Sequence, residues 1–421
     1  MKNTNSTYST FRQNHLDEIK ALAAYYRHHL LNDIMPFWDE RVIDKDYGGY
    51  LNGFDRFGNI TDYRKYGWFI GRNIYIYSAL YNYIEKRQEW LNAAQAGYDF
   101  LVSKGLRSNY RVNLLMERDG GIIAADNSIF TDHFAVKGLF EYISATNNKD
   151  AVLLAEKMYK ALLKNINNEQ VLLSVCPDSR FRKHAVNFLN LIVGIEGKHL
   201  FPELSMPLIN DSLHASLYLF ATDKHKIPLE YILHSGEPLL EGIGRFVDPG
   251  HTLESLWFSM REGLERKDPQ IIKRAAEILD WVIELGWDEE YGGFYQNVDA
   301  ISKTPDEAHM WNQYPDAKAH WQDKIWWVQA EGLYTLAFSA LLNSNEKHFK
   351  YFLKLHRFCM DHFVDKEYGE WYSILKRDGS IRSDAKGSGS KGPYHIPRCI
   401  MLLVLLFEHY INDESFLNID A

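Results

Sequence analysis

Cysteine is scarce. The chain has three in 421 residues, Cys176, Cys359 and Cys399, odd in number and far apart. They suit neither a disulfide framework nor a zinc knuckle, and a reducing compartment fits them best. Long apolar runs are missing as well. Nothing approaches membrane-spanning length, and the polar stretch from Met1 to Gln13 lacks the apolar core of a signal peptide, so the expected location is the cytoplasm. There is no basic excess: 47 Lys and Arg stand against 56 Asp and Glu, a formal net charge of -9, with no Lys/Arg clusters. Such a chain lacks the electrostatic footprint of a nucleic-acid or anionic-membrane binder. Proline is limited to 12, and no Pro/Ser/Gly-rich linker separates one half from the other. This argues for one domain over residues 1–421, with a polar N-terminal extension of roughly 1–14. Walker, nucleophile-elbow, zinc and dinucleotide motifs are also lacking.

Aromatic residues, by contrast, make up 14% of the chain, with 11 Trp, 26 Tyr and 23 Phe. Rings of this kind fill cores, and they also wall sugar sites, where pyranose C–H groups stack on them. Apolar residues recur at helical spacing over Ile19 to Leu31, Phe69 to Ile84, Trp90 to Val102, Ala135 to Ser144 and Ala151 to Leu163. The same spacing continues over Pro207 to Phe220, Thr252 to Leu264, Ile271 to Leu285, Lys324 to Leu342 and Tyr351 to Phe363. At least ten helices follow.

A short pattern recurs between them: Asp44 to Tyr50, Asp288 to Phe294 and Asp365 to Trp371, each with Tyr-Gly at the fourth and fifth positions. Asp that bonds its own backbone and Gly that tolerates positive φ mark a repeated hairpin-bearing turn. Repeated helical pairs must stack openly or close on themselves. Closure into an all-α (α/α)6 barrel with short β-hairpins in its loops buries both ends of the array and is the expected fold. A carboxylate repeated at one turn position is a structural device rather than a glycosidase acid pair.

Several segments gather polar side chains in apolar surroundings: Tyr66 to Arg72, Asn210 to His214, Asp248 to Trp257, Lys324 to Glu331 and Lys391 to Arg398. Arg72, on an apolar helix, must meet a carboxylate or reach a polar cavity. His251 follows Pro-Gly at a helix start, where dipole and burial are expected to lower its pKa and keep it neutral as a base. Asn210 and His214 share one helix face. The Gly-rich stretch from Gly387 to Gly392 reads as a flexible loop beside the pocket. Two histidines with Arg and Glu, and no cofactor motif, suit proton transfer at a carbon next to a carbonyl.

In this order, over roughly Leu31 to Phe407, the segments resemble the N-acylglucosamine 2-epimerase superfamily, which includes cellobiose 2-epimerases and mannose isomerases. Trp68 to Arg72 resembles its Trp-x-x-Gly-Arg segment, and Ser128 to Phe134 a further helix start. Asp248-Pro-Gly-His251 resembles Asn-Pro-Gly-His with Asp replacing Asn. Trp326-Trp327-Val-Gln-Ala-Glu331 resembles Trp-Trp-Pro-x-x-Glu, and His395-Ile-Pro-Arg398 resembles the His-Val-Pro-Arg of acylglucosamine epimerases. Pro393-Tyr394 and the Asn210/His214 pair are similar instead to the cellobiose epimerase and mannose isomerase versions.

The resemblance implies that His251 and His395 are the acid/base groups on the two faces of C2, working through a cis-enediolate. It implies that Arg72 stabilises the developing charge and that Glu254 and Glu331 orient the histidines or bind hydroxyls. Trp68, Trp326 and Trp327 would stack on the sugar, Asn210 and His214 would bind it or assist ring opening, and Arg398 would support the substrate site. The expected reaction interconverts N-acetylglucosamine and N-acetylmannosamine. The alternatives are a neutral-sugar 2-epimerase or aldose-ketose isomerase and, in other classes, a glycoside hydrolase or a non-catalytic sugar-binding protein. No metal or cofactor is expected for the chemistry. Some members respond to ATP, which no phosphate motif here supports, and the family is often a homodimer.

Overall fold

The computed structural model describes residues 2–126, 128–176, 178–304 and 319–412. Twelve long helices among them alternate between two roles. The odd-numbered ones are α1 (Lys2–His28), α3 (Gln88–Phe100), α5 (Lys149–Asn165), α7 (Pro202–His214), α9 (Pro269–Gly286) and α11 (Glu346–His362). They are amphipathic, so one stripe is buried and the other faces outward. The even-numbered ones are α2 (Gly67–Tyr83), α4 (Phe130–Thr146), α6 (His184–Gly197), α8 (Pro249–Glu265), α10 (Trp326–Asn343) and α12 (His395–Asn412). These bury most of their circumference, α10 nearly all of it.

Each even helix packs on the next around a ring, from α2 through α4, α6, α8 and α10 to α12 and back to α2, and each carries one odd helix outside it. The expected (α/α)6 barrel is therefore formed, with α1 packed on α12 to close it. Two inner helices, α6 and α12, are missing from the periodicity reading; α6 is apolar on nearly every side, which gives little contrast between faces. The stretch read as an N-terminal extension belongs to α1, where Phe11 is buried. The helix expected over 207–220 starts at Pro202 and gives way to a π-helical turn, Ala215–Leu219.

The three repeated turns make the same bonds. In each, the Asp side chain accepts backbone N–H groups two and three residues on, and the chain reverses through left-handed residues. Gly292 and Gly293 take φ +82° and +73°, which explains the paired glycines. In the third turn the second of these positions is Glu370, at φ +57°, held by Trp38 Nε1 and the Lys391 ammonium.

Each Asp is buried between one Lys and one Arg: Asp44 with Lys65 and Arg118, Asp288 with Lys324 and Arg377, Asp365 with Lys386 and Arg56. Each Arg comes from the tip of a β-hairpin and stacks on the turn's own tyrosine, Tyr47, Tyr291 or Tyr368, at 4.9–5.1 Å. The Arg56–Asp365 pair ties the first hairpin to the last turn and so helps to close the ring.

Burial favours the neutral acid at Asp288, but the bonds from Arg377 and Lys324 outweigh it and hold the pKa at about 2. Because this lies below the unfolded value of about 3.9, the carboxylate's contribution is complete above about pH 4 and lost as pH falls towards 2. Asp288→Asn leaves the buried Lys324 without its counter-charge and is expected to cost about 3–5 kcal/mol, read as a lower midpoint in urea at pH 7. The difference from the parent should shrink on acidification.

Candidate functional site

The first turns of all six inner helices converge on a cavity of about 320 Å³ at one mouth of the barrel. Trp68 and Arg72 come from α2, Phe130 and Phe134 from α4, and Ala185, Phe188 and Leu189 from α6. His251 and Glu254 come from α8, Trp326 and Trp327 from α10, and His395 from α12. Six helix N-termini pointing at one space place positive potential there, which favours a ligand or transition state that gains negative charge.

His251 and His395 both pack against Trp327, with ring centroids 5.4 and 5.5 Å from that of the indole. Trp327 can lie so close to the start of α8 only because residue 250 is glycine: a Cβ there would sit 2.4 Å from the indole. This is the packing reason for Gly in the Pro-Gly-His sequence.

The two imidazoles have opposite electrostatic surroundings. Nδ1 of His251 is 3.1 Å from Glu230 Oε2 and 3.3 Å from Asp248 Oδ2. Asp248 also caps α8 by accepting the His251 N–H. Burial favours neutral His251, but the two carboxylates prevail and raise its pKa to about 9. This corrects the expectation of a lowered pKa: the helix dipole is weaker than two adjacent carboxylates. His251 is therefore an imidazolium at neutral pH.

His395 bonds Glu331 Oε1 through Nδ1 at 2.7 Å, yet that carboxylate is shared with Arg398. Burial lowers the His395 pKa well below its ordinary value; Glu254 opposes this, while Arg72, Arg398 and Lys137 add to it. His395 is neutral. In both rings Nδ1 is engaged by a carboxylate, leaving Nε2 as the nitrogen available to a substrate.

Arg72 reaches the cavity. Its guanidinium lies 4.0 Å from the Phe134 centroid and 5.0 Å from that of Tyr394, and its Nε has no partner among the described residues. Burial lowers its pKa to about 10, so it remains a cation. Trp68 is held by a bond from Nε1 to the Gly389 carbonyl, 3.1 Å.

Glu254 and Glu331 bind the fully buried Arg398, which also donates to Tyr394 Oη at 2.8 Å, and Trp257 Nε1 donates to Glu331 at 2.8 Å. Arg398 is thus a brace beneath His395 and does not line the cavity, its two terminal nitrogens being turned to these partners. Glu254, Glu331 and His395 have ligand atoms close enough to hold a metal ion. The Arg398 guanidinium donates to both carboxylates and so competes with a cation for their oxygens.

Asn210 and His214 do not join this site. They share a face of α7, as expected, but α7 is an outer helix: Asn210 accepts from Arg266, and His214 is exposed against Tyr218. The inner helix of that pair is α6, one of the two absent from the periodicity reading, and with it went Phe188 and Leu189 as well as Lys183 at its start. Glu230 was missed too, since nothing local in its sequence marks a residue that reaches back to His251. The loop 387–392 contributes Ser390 to the cavity wall but is pinned in place rather than flexible: Gly387 pairs with Phe54, and the Lys391 ammonium is buried on Glu370 and the Trp371 carbonyl.

The sequence pattern of the N-acylglucosamine 2-epimerase (GlcNAc 2-epimerase) family matches residues 48–399. N-acylglucosamine 2-epimerase from Bos taurus is 26% identical over 388 residues, covering 88% of both chains. Cellobiose 2-epimerase from Dictyoglomus turgidum is 26% identical over 416 residues, covering 92% of this chain and 99% of its own. Among solved structures, cellobiose 2-epimerase from Bacillus thermoamylovorans shares the fold with a TM-score of 0.77 at 19% identity, covering 92% of this chain and 100% of that one. With a match that spans most of the chain and takes in both histidines of the cavity, the protein belongs to the N-acylglucosamine 2-epimerase family.

Proposed function

We propose that this protein is a sugar 2-epimerase interconverting N-acetylglucosamine and N-acetylmannosamine. The observation that carries the reading is the pair of imidazoles packed against Trp327 in the cavity wall, one beside Glu230 and Asp248, which favour its protonated form, and the other buried beside Arg398, which favours its neutral form. A 1,1-proton transfer needs one base and one acid on opposite faces of the carbon, both ready at the same pH.

With the sugar in its aldehyde form, His395 Nε2 takes the C2 proton. The C–H electron pair forms the C1–C2 double bond, and the carbonyl pair moves onto O1. Arg72 donates to the developing O1 charge in the field of the six helix N-termini. His251 Nε2 then returns a proton to the opposite face of C2, which restores the aldehyde with inverted configuration. One proton is taken and one given, so the reaction as proposed needs no cofactor.

The acyl preference is supported by the wall of Phe130, Phe134, Ala185, Phe188 and Leu189, which offers an apolar surface to an acyl methyl group. A second reading, epimerisation of neutral sugars, has support from the similarity to cellobiose 2-epimerase along most of the chain. Proton NMR with each sugar in deuterated buffer distinguishes them. We expect the C2 epimer of N-acetylglucosamine to appear with deuterium at C2. Turnover of cellobiose, glucose or mannose alone would favour the second reading, and sugar binding without any exchange would leave a non-catalytic protein.

A further inference from the structure

One buried cation has no part in the mechanism above. Lys137, on α4, is 1% exposed, and its ammonium has no carboxylate within ion-pair range among the described residues. Nζ donates to Tyr394 Oη at 3.0 Å and lies 3.9 Å from the Tyr75 centroid, with Phe258 and Tyr394 rings at 5.3 and 5.4 Å. Aromatic faces offset part of the cost of burying an ammonium but do not neutralise it.

Charged and titratable groups face Lys137 from every neighbouring inner element: Tyr75 from α2, Glu196 from α6, Glu254 and Arg261 from α8, and Tyr394 and Arg398 at the start of α12. Glu141 lies one turn further along α4. Burial foremost, then Arg398 and Arg261, lower the Lys137 pKa to about 7 against the pull of Glu196 and Glu254.

Tyr394 joins this lysine to the reacting group. Its hydroxyl accepts from both Lys137 and Arg398, and its ring lies 5.0 Å from that of His395, the next residue in the chain. Resting on the assignment of His395 as the base, we propose that Lys137 is a positioning residue of the proton-transfer machinery: held behind Tyr394 and Arg398, its ammonium sets how strongly His395 holds a proton. Its charge adds to those of Arg72 and Arg398 in opposing an imidazolium at His395, while Glu331 and Glu254 favour one. A site without Lys137 would hold His395 partly protonated nearer to neutral pH, and so partly out of action as a base.

The test measures kcat/KM against pH for Lys137→Met and Lys137→Gln, with His395 followed directly by NMR of imidazole-labelled protein. Removal of the positive charge should raise the His395 proton affinity about tenfold, so the acid limb and the His395 titration both move up by about one pH unit, with KM little changed. A merely structural lysine would alter the melting temperature and leave both in place. Folded variants with an unmoved limb and titration would overturn the inference, whichever of the two is the better folded. His395→Asn serves as the control: if it is inactive while the lysine variants titrate like the parent, only the role of Lys137 falls, whereas an active His395→Asn removes the proposed function and this inference together.

Discussion

His395→Asn is expected to lower epimerisation by about 10³-fold or more, and His251→Asn by a similar factor, since each removes a proton-transfer group outright. The two variants should differ in what survives. With His251 replaced, His395 can still remove the C2 proton of one epimer and return deuterium to the same face, so that epimer exchanges with solvent without inverting. With His395 replaced, exchange from that epimer should stop. A single residual exchange, in opposite epimers for the two variants, would assign each histidine to its face; full epimerisation in either variant would remove that residue from the mechanism.

The pH profile follows with a defined sign. His395 must be unprotonated and His251 protonated, so activity should fall on the acid side as His395 takes up a proton and again above about pH 9, where His251 loses its own. If the two protonation states were reversed, as the helix dipole alone would suggest for His251, the plateau would lie elsewhere.

Arg72→Met is the other large expected effect. The guanidinium lies against Phe134 and Tyr394, with its Nε unpartnered among the described residues, so its donors are available to an oxyanion that forms only as C2 loses its proton. Removing it should lower kcat by about 10²–10³-fold with little change in KM, because the interaction strengthens in the transition state. Arg72→Lys should recover only part of this, since a single ammonium cannot reproduce the planar fork. A rise in KM at constant kcat would recast Arg72 as a ground-state binding residue. Steady-state kinetics with both epimers, alongside melting curves, separate the two outcomes.

Much of this site is legible in the order of residues. The Arg72, His251, Glu254, Trp326, Trp327, Glu331 and His395 segments stand out because polar side chains interrupt strong apolar periodicity, and in the structure they gather at one end of the barrel. The repeated Asp-x-x-Tyr-Gly turns are legible for the same local reason: Asp and Gly encode a turn within six residues. Asn210 and His214 show where local reading stops. Their spacing places them on one face of a helix but carries nothing about whether that helix lines the ring or covers it, and α7 covers it.

The sequence by itself determined the number and spacing of most helices, the turns that join them and the kind of chemistry their first turns can support. These depend on contacts within a few residues. Tertiary structure alone decided which helices face the axis, that Glu230 would join the neighbouring Asp248 in charging His251 while Arg398 shares the carboxylate of His395, and that a lysine with no carboxylate in ion-pair range among the described residues would stand behind Tyr394. Proton affinity depends on burial and on charges a few ångströms away; Asp248 and Arg398 stand three residues from their histidines, but Glu230 and Glu331 come from 21 and 64 positions away in the chain.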